Sequence, residues 1–147
     1  MTWSRSGHPK SALIDWLTSR SSRRRFAPRL SGRSVRRMQA TRLERAILDW
    51  IAGRETSLAG RLASASVARR EHTGAGIYVD LLPDPDLSWD RPPVSGSVID
   101  SPRLGFGGGC VLWLSQGEPC CLEIYAFGRD FPEDVDEFTL SSSDGSA

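Results

Sequence analysis

The first clear periodicity along the chain begins at Leu43. Apolar residues recur at Leu43, Ala46, Ile47, Trp50 and Ile51, spacings of three and four that place them on one face of a helix. Thr41 and Glu44 form a T-x-x-E capping box at its start; hydroxyl and carboxylate there satisfy two backbone donors that have no partner inside the helix. Gly53 is the expected stop. A shorter helix is predicted from Ser57 to about Ala65, with Leu58 and Leu62 inward and Gly60 weakening it.

From Ser66 the period shortens to that of strands. "SVARREH" and "GIYVDLL" flank "TGAG", so Val67–Glu71 and Ile77–Leu81 form a predicted hairpin joined by glycines. The following "PDPDLSWDRPPVSG" is too broken by proline to lie in a sheet. "SVID" then reads as a short strand, and "CVLWLS" and "CCLEIYAF" as a second hairpin around "QGEP". The expected fold is α+β, with N-terminal amphipathic helices packed on a small, mainly antiparallel sheet of about five strands. It occupies residues 38–140 as one domain, and residues 141–147 form a disordered tail.

At 147 residues, 39% of them hydrophobic and 25% charged, the chain has the composition of one ordinary globular domain. No apolar run approaches the roughly 18 residues that span a bilayer, and no basic segment is followed by an apolar stretch of signal-peptide type. Neither membrane attachment nor export is expected. Cys110, Cys120 and Cys121 make an odd number without metal-ligand spacing, and fit buried small hydrophobes in a reducing cytoplasm.

The net charge of +1 hides a division. Residues 1–37 carry ten Lys/Arg and one acid, Asp15, whereas residues 38–147 carry nine Arg and seventeen Asp/Glu, a balance of −8. Three readings of the basic, Ser-rich segment stand side by side: a solvated, disordered arm; a contact with the protein's own acidic body or, weakly, with nucleic acid, the latter through Arg23, Arg24, Arg25, Arg36 and Arg37; or sequence translated upstream of a working start at Met38. "ALIDWL" at Ala12 echoes "AILDWI" at Ala46, a partial duplication at most, since a solenoid needs three copies.

The stretch "RLGFGGGCVLWL" invites comparison with phosphate-binding loops. Gly105 and Gly107 fit the first two places of G-x-G-x-x-G, but Cys110 stands at the third and a strand follows in place of a helix. A Walker loop would need Lys and Ser or Thr where "CVLW" stands. The run is expected to turn the chain into a strand, and no cofactor is expected. His8 and His72 cannot build a metal site alone. Glu123 lies mid-strand on a face shared with Cys121, Tyr125 and Phe127, and a carboxylate there needs a donor; Arg69 or Arg70 is the expected one.

The strings "RREHTGAGIYVDL", "LGFGGGCVLWL" and "LEIYAFGRDFPEDVDEFTL" together resemble a widespread family of small, uncharacterised bacterial proteins over about residues 41–140. That resemblance implies one module and carries no catalytic residues across. Two function classes follow from the residues. The first is a non-catalytic binding protein of inhibitor or immunity type, engaging a basic protein through Asp84, Asp86, Asp90, Glu133, Asp134, Asp136 and Glu137. The second is a small hydrolase or transferase using His72, Asp80 and Glu123 in a groove between hairpins, which requires those three to converge.

Overall fold

A computed structural model of the chain describes residues 36–82, 90, 92–128 and 130–144. Arg23, Arg24, Arg25, Asp84 and Asp86 lie outside the described residues, as do the echo at Ala12 and most of the proline-rich loop. Among the described residues, helix α1 (Arg42–Arg54), a 3-10 turn (Thr56–Leu58) and the short helix α2 (Ala59–Ala63) precede six strands. The strands are β1 (Ser66–His72), β2 (Gly76–Leu82), β3 (Val94–Ser101), β4 (Leu104–Ser115), β5 (Glu118–Ala126) and β6 (Thr139–Ser141). They form one sheet, antiparallel throughout, in the order β1-β2-β5-β4-β3-β6. The fold is mixed α+β.

The capping box at Thr41 is formed: its hydroxyl accepts from the Glu44 N–H at 3.2 Å, and the Glu44 carboxylate accepts from the Thr41 N–H at 2.7 Å. Glu44 has a second task. Its two carboxylate oxygens take both forks of the Arg70 guanidinium, at 2.6 and 2.7 Å, while Arg70 also donates to the Gln39 carbonyl at 2.6 Å. Such bidentate, charge-assisted pairs are among the stronger polar contacts. This one ties the first turn of α1 to the edge strand β1. The hydrogen bonds to Glu44 hold the Arg70 guanidinium charged and raise its pKa, against the opposing effect of burial.

Helix α1 runs through Gly53 to Arg54, so Gly53 is not its stop. No neighbour crowds a Cβ at that position, leaving only the glycine's modest intrinsic penalty. The Arg54 guanidinium, stacked 3.6 Å from the Trp50 ring centroid, holds the last turn. Leu43, Ile47, Leu48 and Ile51 enter the core against Val67, Ile77, Val79, Ile99, Leu112, Leu122 and Ile124. Strand periodicity puts Tyr78, Val111, Trp113, Cys121, Glu123 and Tyr125 on the opposite face, and they too are buried. With both faces out of water, the central strands read as apolar runs with little alternation. All three cysteines are buried thiols.

The sheet has six strands where about five are expected, and three boundaries move. Strand β3 begins at Val94, immediately after Pro92 and Pro93, so "VSG" belongs to it. Strand β4 begins at Leu104 and takes in the whole glycine run. Only Gly107, at φ 77°, supplies a bend, and β3 and β4 shift register close by, between Ile99 and Ser101. Gly109 serves a different purpose: a Cβ there would stand 2.7 Å from the Tyr125 hydroxyl and 2.9 Å from its ring. The glycines thus lie within the sheet and admit the Tyr125 side chain. Strand β6 includes Ser141, which sequence alone assigns to the tail. Its three residues carry no alternation to recognise, and pairing with Val98–Asp100 of β3 defines it.

Candidate functional site

The segment after β5, "FGRDFPEDVDEF" from Phe127 to Phe138, contains five acids and one arginine. Its apolar residues fasten it. The Phe127 N–H donates to the Gly107 carbonyl at 3.0 Å and the Phe131 N–H to the Gly74 carbonyl at 2.8 Å. Val135 is buried in the core and Phe131 and Phe138 pack against it. The carboxylates between these anchors, Asp130, Glu133, Asp134, Asp136 and Glu137, are left exposed. Spacing alone produces this: apolar side chains at 131, 135 and 138 turn inward, and what lies between them faces water.

Asp136 and Glu137 line an open groove of about 660 Å³ together with Asp100, Leu104, Phe138 and Arg42. Arg42 spans it from α1, donating to the Asp136 carbonyl at 3.4 Å with its guanidinium 5.8 Å from the Phe138 ring centroid. Asp100 comes from β3, opposite Thr139 of β6, and sequence reasoning did not include it in the acidic surface. The short pairing that brings it there is what "TLS" conceals.

The structure distributes the sequence-derived acids between two places. Glu133, Asp134, Asp136 and Glu137 lie on one segment. Asp90 lies at the far end of β4, where its N–H donates to the Leu114 carbonyl at 2.7 Å and its carboxylate accepts from the Gly117 N–H at 2.9 Å. Leu104, which lines the groove, and Leu114 stand ten residues apart on β4, roughly 34 Å at about 3.4 Å per strand residue. Asp90 fastens the tight β4–β5 turn, whose Gln116 and Gly117 both have positive φ, 52° and 77°. Arg36 and Arg37 are exposed ahead of α1.

His72, Asp80 and Glu123 are not brought together. His72 pairs with Ile77 and so faces the helices. Asp80 pairs with Cys121, and Glu123 with Tyr78, on the other face. A sheet's thickness of backbone separates the imidazole from both carboxylates. Neither arginine expected beside Glu123 is there: Arg70 is on the helix face with Glu44, and Arg69 bonds Asp80 at 2.9 Å. Glu123, only 3% exposed, instead accepts from the Trp113 indole N–H at 3.1 Å. Burial, with Cys110 and Glu123 nearby, pushes the Tyr125 phenol up to about 12. Burial likewise pushes the Cys110 thiol up to about 11, against the effect of its contacts with Ser97.

Among the described residues, the two exposed large hydrophobics are Phe106, 82% exposed, and Phe127, 52% exposed. Sequence reasoning missed Phe106; an aromatic residue with a glycine on either side is the only signal it offers. No protein-family model, curated protein or solved structure matches the chain.

Proposed function

We propose that the domain is a non-catalytic binding protein of inhibitor or immunity type, which engages a basic protein partner through the acidic segment Asp130–Glu137. The observation that carries the reading is the joining of Asp136, Glu137 and Asp100 in one open groove beside exposed Glu133 and Asp134. A field of that sign attracts cationic surfaces and repels phosphate, and acts on association rate more than on residence time. The arrangement gives no support to acid–base catalysis by His72, since its intended partners face the other way. Any weak, sequence-independent affinity for nucleic acid belongs to Arg23, Arg24, Arg25, Arg36 and Arg37, as counterion release requires clustered cations.

The test compares the full chain with the triple variant Asp134→Asn, Asp136→Asn, Glu137→Gln as baits in extracts of the native host at two salt concentrations. A basic protein retained by the first and lost by the second, with an association rate that falls steeply as salt shortens the Debye length, is the expected result. Retention that ignores both the substitutions and the salt would refute the reading.

A further inference from the structure

The acidic segment explains attraction but not anchorage. Carboxylates on a wet surface contribute little to affinity individually, and interfaces draw most of theirs from a few desolvated aromatic or arginine side chains. The molecule holds such side chains next to the carboxylates. Among the described residues, Phe106 and Phe127 are the large hydrophobics left in water, at 82% and 52% exposure, and both stand where the β4–β5 ladder ends. Their placement is fixed by the backbone. Phe106 lies across Gly128, whose Cβ would be 3.3 Å from the ring, and Phe127 lies across Gly107, whose Cβ would be 3.6 Å from it. The Phe127 ring also leans on Tyr125, with centroids 6.0 Å apart at 59°.

Gly105, the residue before Phe106, lines the groove that holds Asp100, Asp136 and Glu137. Phe106 therefore adjoins the groove in the chain, and Phe127 leads directly into the acidic segment. Among the described residues, six carboxylates of the groove and of the segment that begins at Phe127 are exposed, Asp100, Asp130, Glu133, Asp134, Asp136 and Glu137, against the exposed Arg42 and Arg103.

We infer that Phe106 and Phe127 are the anchoring centre of the binding surface, and that its partner is a protein presenting an apolar pocket rimmed by Lys and Arg. This rests on the proposed function and adds the anchors and the shape of what they enter. Charge selects this occupant over a second copy of the chain: a two-fold contact through Phe106 brings the same patch onto itself and sets the carboxylates of one chain against those of the other. Rings already held against glycine on strand ends lose little freedom on docking, which favours binding.

The test uses the full chain, the Phe106→Ser variant and the triple charge variant described above. Each is titrated by two-dimensional NMR with three short synthetic peptides: Lys/Arg with Leu, Lys/Arg with Gly, and Glu with Leu. Expected are saturable shifts at Phe106, Phe127, Asp136 and Glu137 with the first peptide only, weakened roughly tenfold or more by Phe106→Ser, with an unchanged melting temperature. If the charge variant abolishes binding and Phe106→Ser does not, the anchor is refuted and the acidic surface stands. If no cationic peptide binds, both fall. Concentration-dependent self-association in sedimentation that disappears with Phe106→Ser assigns the anchors to a second copy and overturns the inference.

Discussion

Replacing Glu44 with Ala is expected to be among the most damaging single changes in the domain, although Glu44 stands in the first turn of a surface helix. Two losses combine. The reciprocal cap at Thr41 disappears, worth about 1 kcal/mol. Arg70 also loses both oxygens of its bidentate partner. Removing one member of a fully buried pair costs about 3–5 kcal/mol. The Arg70 side chain remains 22% exposed against 3% for Glu44, and it keeps the Gln39 carbonyl, so about 2 kcal/mol is appropriate here. The total of about 3 kcal/mol corresponds to a fall of roughly 12–24 °C in Tm for a domain of this size. Thermal and urea unfolding followed by tryptophan fluorescence measures it. Thr41→Ala isolates the cap, at about 1 kcal/mol. Arg70→Met should be at least as harmful as Glu44→Ala, because it strands the more deeply buried charge. The pair Glu44→Leu, Arg70→Met should recover much of the loss. A Glu44→Ala protein no less stable than Thr41→Ala would show that the ion pair contributes nothing.

Stability should be level from neutral pH to about 8 and then fall. The folded state holds the protons of Cys110 and Tyr125 up to about pH 11 and 12, while the unfolded chain releases them at their lower, ordinary values. Between those limits the folded state binds more protons, and stability drops as pH rises, by about 2–3 kcal/mol per group; Tyr125→Phe should remove the upper part of the slope, and urea midpoints that do not move up to about pH 11 would contradict this. Gly109→Ala should cost about 2 kcal/mol by driving a methyl into the Tyr125 ring, and adding Tyr125→Leu should return part of it in a double-mutant cycle; strictly additive losses would show that the ring is not what the glycine accommodates.

What was legible in the sequence was what local chemistry decides. Thr41, Glu44 and the apolar spacing from Leu43 to Ile51 specify α1 without reference to anything distant, and "TGAG" and "QGEP" mark hairpins whose strands are neighbours in the chain. The failures arise where a contact between remote residues overrides local preference. Glycines argue against a strand until the Tyr125 side chain is placed above Gly109. "TLS" is a strand only because β3 offers it an edge. Glu44 carries a visible capping signal, but its bond to Arg70 follows from the packing of α1 over the sheet. The same holds for the site. Glu133, Asp134, Asp136 and Glu137 were visible by composition, and Asp100 was not, because β6 brings it there. His72, Asp80 and Glu123 looked combinable until register assigned them to opposite faces.

The strand order has a consequence for biosynthesis. Of the six strands described, β5 is the last long one to leave the ribosome, yet it stands in the middle of the sheet, between β2 and β4. Until Ala126 emerges, the nascent chain can form only the β1–β2 and β3–β4 hairpins, each with an inner edge whose backbone groups are unpaired. At roughly 5–20 residues per second, the β2 edge, with its apolar "GIYVDLL", waits several seconds for its partner. Exposed edges of that kind pair readily with other chains. Ribosome-arrested chains ending before Glu118 should therefore bind holding chaperones, and chains arrested far enough past Ala126 to free β5 from the exit tunnel should release them. The strand that joins the two hairpins is also the one that ends the period of greatest exposure to aggregation.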